Sequence, residues 1–113
     1  MSDDCLFCRI VRKQIPATLV YEDEFVIAFR DLDPKAPTHV LVVPRAHVAS
    51  LADATDGAVL GACLLGAAEV ARAAGLVDGG YRTVINTGPA AGQSVLHLHV
   101  HVLGGRELRW PPG

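Results

Sequence analysis

The sequence predicts a single α+β domain in which a mainly antiparallel sheet of about five strands carries one long helix on one face. Two patterns lead to this fold class. Five short β-prone runs are separated by turn residues, and one stretch of about 20 residues has the periodicity of an amphipathic helix. A chain of 113 residues, half of them hydrophobic, is long enough to bury one core. We therefore assign residues 1–113 to one domain, with no linker and no internal repeat.

A short helix and a hairpin are expected first. Residues 5–12 have one apolar side, which predicts a short helix or tight turn that Pro16 ends. Residues 19–21 and 25–29 are β-prone and flank the polar turn 22–24, which predicts an antiparallel hairpin.

The middle of the chain predicts the central strand and the long helix. Residues 39–44 are strongly β-prone. Helical periodicity then extends over residues 53–74, where Asp53 or Thr55 can cap the start and Gly75 suits the C-terminal stop. Cys63 falls on the apolar face and is interpreted as a small buried hydrophobic residue. The apolar face comprises Val59, Leu60, Cys63, Leu64, Ala67, Val70, Ala71 and Ala74.

The last third predicts two strands and a tail. Residues 81–86 form a β-prone run with Asn86 at its end, and residues 97–103 form another. The glycine-containing loop 88–94 lies between them. Residues 106–113 form a C-terminal tail that holds the only tryptophan. An exposed apolar tail is a poor surface for a monomer and a good docking element.

The final strand contains three of the five histidines, His97, His99 and His101. Successive side chains of a strand point to opposite faces, so these imidazoles share one face while the residues between them enter the core. Neighbouring imidazoles are then about 6.6 Å apart and the outer pair about 13 Å apart. One metal ion could hardly gather ligands over that span, because its nitrogen ligands lie at about 2.0–2.1 Å. We therefore expect the three histidines to divide their roles.

The loop before this strand suits an anion. Glycines at 88 and 92 allow backbone N–H groups to turn toward a phosphate, and Ser94 adds a hydroxyl. The loop alone is a weak signal, but it leads directly into the histidines.

Composition argues against several classes of function. The net charge of −2 and the pI near 6.2 give no electrostatic case for nucleic acid. The sequence has no run of eighteen apolar residues, so we expect no membrane span. The N-terminus is acidic and has no apolar signal segment. Three cysteines, an odd number, fit a reducing cytoplasm better than a disulfide framework.

The histidine row and its flanks together resemble a known family. Residues 97–103 resemble the histidine triad signature of the HIT superfamily, His-φ-His-φ-His-φ-φ, in which φ is apolar. The flanks resemble the Hint branch, the nucleoside phosphoramidases, over nearly the whole chain. These flanks are Asp31, Ala36-Pro37-Thr38-His39, Gly80-Tyr81-Arg82, Asn86, Gly92-Gln93-Ser94-Val95, Gly104-Gly105-Arg106 and Trp110-Pro111-Pro112-Gly113.

The resemblance implies a HIT-like fold whose sheet continues across a two-fold homodimer. It also implies a hydrolase that acts on purine nucleoside 5′-phosphoramidates through a nucleotidyl-histidine and releases a nucleoside monophosphate such as AMP. His99 would be the nucleophile and His39 would support the triad. Ser94 and His101 are both candidates for the acid that protonates the leaving amine. The catalytic set implied is His39, Ser94, His97, His99 and His101.

The same resemblance implies a nucleotide site without an organic cofactor. Asp31 would bind the ribose hydroxyls, although an aspartate before Asp33-Pro34 is also a common turn former. Asn86 could donate to a phosphate or ribose oxygen. The implied nucleotide-binding set is Leu6, Phe7, Ile10, Phe29, Asp31, Leu32, Asn86, Gly92, Gln93, Ser94, His99 and His101.

Cys5 and Cys8 have a Cys-x-x-Cys spacing that suits zinc. Zinc needs two more ligands, for which His47 and His97 are the natural candidates, and some HIT proteins have this Cys₂His₂ set. The alternative is a pair of reduced cysteines beside a core histidine.

Two other functions remain open from the sequence. One is hydrolysis of dinucleoside polyphosphates, as in the Fhit branch. The other is a nucleotide-binding or zinc-binding module with little turnover.

Overall fold

A five-stranded antiparallel sheet forms the centre of the computed structural model, which describes residues 4–113. The strands follow the order β1-β2-β3-β5-β4. They are β1 (Leu19–Glu22), β2 (Val26–Arg30), β3 (Thr38–Pro44), β4 (Tyr81–Val84) and β5 (Val100–Gly104). The helices are α1 (Leu6–Val11) and α2 (Gly57–Ala73), with 3₁₀ turns at Leu51–Asp53 and Pro89–Ala91. The predicted fold class is confirmed. Within residues 4–113, neither α-helix combines the length and the apolar character that a membrane crossing requires.

The central strand β3 supplies core residues to both faces of the sheet. Val40 and Val42 belong to the cluster beneath α2. Leu41 and Val43 belong to a second cluster on the opposite face, which α1 covers. This alternation follows from the two-residue period of a strand, and it explains why β3 is hydrophobic at nearly every position.

Helix α2 begins later than the sequence predicts. The carboxylate of Asp56 caps the helix by accepting the Ala58 N–H. Asp53 and Thr55, the expected caps, lie outside it, because Asp53 belongs to the preceding 3₁₀ turn and accepts a hydrogen bond from Ser50. The predicted stop is confirmed, since Gly75 adopts φ of 72° just after the helix.

Helix α1 is shorter than residues 5–12. Cys5 is its N-cap, and its last residue is Val11. The chain turns at Lys13, which adopts a φ of 61°, so the helix ends well before Pro16 and that proline is not its stop.

Strand β5 begins at Val100, so His97 and His99 precede the regular ladder that we expected to include them. The reason is a contact with a segment distant in the sequence, because the Leu98 N–H donates to the Val48 carbonyl at 2.6 Å and not to a neighbouring strand. The predicted alternation nevertheless holds, since Leu98, Val100 and Val102 all lie in the core beneath α2.

The remaining strand bounds differ by one or two residues from the predictions. Strand β2 starts at Val26, because the Asp23 carboxylate accepts the N–H groups of both Phe25 and Val26 and closes the turn there. Strand β3 starts one residue early, at Thr38. Strand β4 ends at Val84, so Asn86 lies in the loop beyond it.

The C-terminal tail lies against the body of the domain at two points. The Arg106 guanidinium donates twice to the Lys35 carbonyl, at 2.9 and 3.1 Å. The Arg82 guanidinium lies 5.8 Å from the ring centroid of Trp110, and that indole remains 80 % exposed.

Candidate functional site

The three histidines of the row share one face, as predicted, and that face is the one away from α2. Their nearest histidine partners differ. The rings of His99 and His101 lie beside each other, with centroids 5.0 Å apart. The His97 ring instead packs against His47, with centroids 4.9 Å apart. As expected, the histidines divide: His99 and His101 lie together, and His97 has a separate environment.

The tautomer of His99 follows from its hydrogen bond. Its Nδ1 lies 2.7 Å from the His97 carbonyl oxygen. A carbonyl can only accept, so Nδ1 carries a hydrogen, and in the neutral ring the lone pair is on Nε2. The ring is buried, and the edge of Phe7 packs against it at a centroid distance of 5.1 Å. In its neutral form, His99 therefore has one nitrogen, Nε2, that no group of residues 4–113 occupies.

A chain of hydrogen bonds likewise determines the tautomer of His101. The Lys35 N–H donates to Nδ1 of His39 at 3.0 Å, so the His39 hydrogen must be on Nε2. That Nε2 lies 2.9 Å from Nδ1 of His101 and donates to it. The His101 hydrogen is therefore on Nε2, which is buried and without a partner within residues 4–113. This row of hydrogen bonds begins at the backbone N–H of Lys35, which does not release its proton. The row therefore fixes the tautomers of both rings and does not conduct protons.

Burial keeps both of these rings neutral. Burial lowers the pKa of His39. The pKa of His101 is lowered to about 4, mainly by burial and further by the neighbouring His99 and His39. At neutral pH an unpaired N–H of His101 is consequently available as a neutral donor.

An apolar cavity of about 260 Å³ lies in front of His99 and His101. Its walls include all five predicted apolar residues, although Leu32 is 99 % exposed and contributes only at the rim. Asp31 and Ser94 also border it. Six further residues line the cavity that were not predicted from the sequence: Ile15, Pro16, Ala17, Arg30, Leu41 and Val95. Of these residues, only Leu41 could have been predicted from the sequence, because the two-residue period of β3 places its side chain on the same face as that of His39.

A second, more polar cavity of about 430 Å³ lies on the other side of His101. Asp31, Ser94 and His101 border both cavities, and Asn86 borders only this one. Asp31 also forms the turn that was the alternative interpretation, since its Oδ1 accepts the Asp33 N–H at 2.8 Å. The remaining lining residues of the polar cavity are Asp33, Lys35, His39, Val84 and Leu103.

The glycine-containing loop departs from the expected phosphate cradle. The N–H groups of Gly92 and Gln93 donate to the carbonyls of Pro89 and Gly88 within the loop. The Gln93 side chain accepts from the Gly88 N–H and donates to the carbonyls of Ala49 and Val95. Neither Gly92 nor Gln93 lines the two cavities, so of the predicted loop residues only Ser94 reaches them.

Four potential metal ligands converge near the apolar cavity, as predicted. One donor atom from each of Cys5, Cys8, His47 and His97 lies within 4.8 Å of the other three. The helix start, the loop after β3 and the segment before β5 bring them together. All three cysteines of the chain are free thiols.

The distances between these donors fit tetrahedral zinc. Nδ1 of His97 lies 3.2 Å from Nδ1 of His47 and 3.3 and 3.5 Å from the sulfurs of Cys5 and Cys8. The His47 Nδ1 lies 3.2 Å from the Cys8 sulfur. In a tetrahedron with ordinary zinc bond lengths, two nitrogens are about 3.4 Å apart and a nitrogen and a sulfur are about 3.6 Å apart.

The surroundings of the donors also fit a cation. The His97 Nε2–H donates to the Pro44 carbonyl at 2.8 Å, which leaves the Nδ1 lone pair for a ligand bond. Burial lowers the pKa of His97 and so favours the neutral form that binds metal. The Cys5 sulfur accepts the Cys8 N–H at 3.3 Å, a contact that stabilises a thiolate.

A second cluster, formed by Asp31, His39 and His101, has donor atoms equally close together. It does not suit a metal as built. The Lys35 N–H occupies Nδ1 of His39, so its Nε2 carries a hydrogen and has no lone pair to offer. This cluster is better described as the hydrogen-bonded chain given above.

Comparisons with known proteins agree with this geometry. The family model described as "HIT domain" matches residues 12–108. A protein from Zea mays named "14 kDa zinc-binding protein" is 52 % identical, covering 96 % of this chain and 87 % of that protein. The crystal structure of a HIT family hydrolase from Legionella pneumophila has a TM-score of 0.94 and 47 % identity, over 97 % of this chain and all of the other. A zinc-bound histidine triad family protein from Mycobacterium smegmatis has a TM-score of 0.83 and 36 % identity, over 92 % and 76 %.

Proposed function

Because this chain belongs to the HIT domain family, we propose that it is a nucleotide hydrolase of the Hint branch. It cleaves the P–N bond of purine nucleoside 5′-phosphoramidates and releases a nucleoside monophosphate such as AMP. One observation carries this proposal: a buried imidazole with a free Nε2, that of His99, lies beside an unpaired N–H of His101 at the mouth of an apolar cavity. A nucleophile and a donor for charged oxygens are what nucleotidyl transfer needs.

In the first step, Nε2 of His99 attacks the α-phosphorus and a P–N bond to the imidazole forms as the bond to the leaving amine breaks. The His97 carbonyl stabilises the positive charge that develops on the ring by accepting the Nδ1–H. In the second step water attacks the phosphorus, and His99 leaves with its lone pair restored.

His101 supplies the donor for this chemistry. Its Nε2–H donates a hydrogen bond to a phosphoryl oxygen and keeps its proton, because the ring is neutral and its Nδ1 is held by His39. The departing nitrogen must gain a proton to leave as an amine, and it takes this proton from water through the hydroxyl of Ser94, which borders both cavities. His39 holds the tautomer of His101 and is a positioning residue.

The two cavities divide the substrate between them. The apolar walls suit the faces of a purine, and the Asp31 carboxylate, which borders both cavities, can accept hydrogen bonds from the ribose hydroxyls. The leaving group would occupy the polar cavity, near Asn86. This cavity has two carboxylates, Asp31 and Asp33, against one cation, Lys35. That charge balance disfavours a polyphosphate and favours an amine, so the phosphoramidase is preferred to the dinucleoside polyphosphate hydrolase.

We propose that Cys5, Cys8, His47 and His97 hold zinc. The four donors fit its bond lengths, and two relatives carry zinc in their names. When bound, a four-ligand zinc without an open position supplies stability and not Lewis-acid chemistry. A reducing compartment keeps two thiols available as ligands, which favours a cytoplasmic location.

We also propose a homodimer in which the sheet continues across the two-fold axis. Strand β4 ends the sheet order and offers an edge for pairing. The exposed Trp110 lies near that strand through its contact with Arg82. Sedimentation velocity gives the mass that tests this assembly.

The test of the nucleophile is His99→Ala. We expect hydrolysis of an adenosine phosphoramidate to fall by about a thousandfold or more, because no other imidazole offers a free nitrogen to the cavity. Affinity for AMP should change by less than about threefold, since the walls are intact. In the wild type, rapid quenching and peptide mass spectrometry should find the nucleotidyl group on His99.

Cys63→Ala is the control, because that side chain lies in the core beneath α2, on the opposite face of the sheet from the nucleotide cavity. A nucleotidyl adduct on another residue would contradict the assignment of the nucleophile. Comparable turnover by wild type and His99→Ala would indicate a binding module instead. Faster turnover of a diadenosine polyphosphate than of the phosphoramidate would favour the other hydrolase.

A further inference from the structure

We propose that the metal-ligand set Cys5, Cys8, His47 and His97 positions both the wall of the nucleotide cavity and the nucleophile. Cation ligation there and nucleotide binding then strengthen each other. This inference rests on the proposed function for the identity of the nucleotide. It goes beyond that function because a closed four-ligand site is otherwise expected only to stabilise the fold.

The first link is through helix α1, which is only six residues long. Isolated helices of this length are unstable, so α1 depends on its tertiary anchors. Cys5 is its N-cap and Cys8 lies inside it, while Phe7 between them lines the nucleotide cavity. Fixing the two sulfurs therefore fixes the cavity wall that Phe7 forms.

The second link is through His97, whose ring and backbone serve different partners. The ring belongs to the ligand set, and the carbonyl accepts the Nδ1–H of His99 at 2.7 Å. Residues 97–99 precede β5, so the strand ladder does not hold them. Anchoring the His97 ring therefore helps to aim the carbonyl that selects the reactive tautomer of His99.

The third link is spatial continuity between the ligand set and the nucleotide cavity. A groove of about 510 Å³ is bordered by Cys5 and His47 together with Leu6, Ser94 and Val95. The last three residues also line the nucleotide cavity. The core beneath α2 contains none of the four ligands, so we expect that part of the fold to persist when the cation is removed.

Thermodynamic linkage gives the first test on the intact, metal-loaded protein. Apparent zinc affinity is measured by competition with a chromogenic chelator, with and without saturating AMP. Because coupling is reciprocal, we expect AMP to raise the zinc affinity by about tenfold, and zinc to raise AMP affinity by the same factor. Equal zinc affinities in the two conditions would overturn the proposal.

The second test removes the cation and observes the protein by ¹⁵N NMR of the histidine rings and by circular dichroism. We expect the metal-free chain to keep its sheet and α2, to lose the single Nδ1–H signal of His99 and to recover it when Zn²⁺ is added. Cys5→Ser should behave like the metal-free protein and Cys63→Ala like the wild type. Global unfolding on metal removal, or an unchanged His99 signal, would overturn the proposal.

None of these measurements uses turnover, so the two proposals fail separately. A chain that lacks phosphoramidase activity but shows linked zinc and AMP affinities would refute the proposed function alone. An active hydrolase with a His99 signal that is indifferent to zinc would refute only the positioning role. If AMP does not bind, the response of the His99 NMR signal to zinc decides whether the metal-ligand set positions the nucleophile.

Discussion

Burial lowers the pKa of His39, His97 and His101 and so favours their neutral forms, and the effect is largest at His101. Its pKa is lowered to about 4, first by burial and then by His99 and His39. We expect an NMR titration of the ring to give a midpoint near 4. A midpoint near 6.5, the ordinary value for an exposed histidine, would contradict the buried, unpaired donor.

The same group makes stability depend on pH. The unfolded chain binds a proton at His101 near pH 6.5, whereas the native chain does so only near pH 4. The stabilising contribution is therefore fully present above pH 6.5 and is lost as pH falls toward 4. We expect the unfolding free energy of His101→Gln to decline less steeply over this interval than that of the wild type, in urea titrations with excess zinc. Parallel declines would show that His101 does not titrate in this way.

The residue scale also shows what the sequence could predict and what it could not. Alternation alone placed His97, His99 and His101 on one face, and metal-ligand distances indicated that the three would divide their roles. The Cys-x-x-Cys pair and the family resemblance then made His97 the candidate for the separate role. The backbone groups of His97 and Lys35 that fix the tautomers of His99 and His39 lie within four residues of them in the sequence, but the orientation of each ring toward its partner has no sequence signature. The tautomer of His101 could not be predicted, because it depends on His39, which is 62 residues away in the sequence. For the same reason Gln93 was assigned to phosphate, although its amide instead joins the loop to Ala49.

At the scale of elements, the contact between α2 and the sheet depends on one glycine. A Cβ at Gly66 would lie 3.1 Å from a methyl of Val26 and 3.2 Å from a methyl of Val42. We expect Gly66→Leu to lower the unfolding free energy by about 1–3 kcal/mol, because the larger side chain overpacks this contact. Urea denaturation measures the effect.

Gly61 on the same helix provides the matched control. A Cβ there meets no atom within 4 Å. Gly61→Ala should therefore raise the unfolding free energy by up to about 1 kcal/mol through helix propensity alone. A Gly66→Leu variant as stable as the wild type would mean that α2 does not approach the sheet this closely.

The elements themselves were predicted wherever periodicity decided them. All five strands and both helices occur where the pattern placed them, with ends displaced by a few residues. An element starts later than predicted where one of its residues hydrogen-bonds to a group outside the element. Asp53 accepts from Ser50 and so does not cap α2, and the Leu98 N–H donates to the Val48 carbonyl and so does not join β5. Such competition has no signature in local sequence, so the late starts of α2 and β5 could not be foreseen.

At the scale of the whole molecule, the site is assembled from segments that the chain keeps far apart. The C-terminal tail reaches the hydrogen-bonded histidine chain through a single residue. The Arg106 guanidinium donates twice to the carbonyl of Lys35, and the N–H of Lys35 donates to His39. The tail is therefore connected to the tautomer of His101, even before any contact with a partner subunit is considered.

This connection predicts an effect of Arg106→Ala on catalysis that exceeds its effect on folding. We expect kcat for an adenosine phosphoramidate to fall by about threefold to tenfold, because a looser Lys35 lets His39 and His101 populate the wrong tautomers. The midpoint of thermal unfolding should move by only a few degrees, since the guanidinium is exposed.

Arg109→Ala is the control, because this exposed tail residue lacks the bonds to Lys35. Equal kcat values for the two variants would contradict an effect of the tail on the histidines. A selective loss in Arg106→Ala would show that the tail acts on the chemistry within its own subunit.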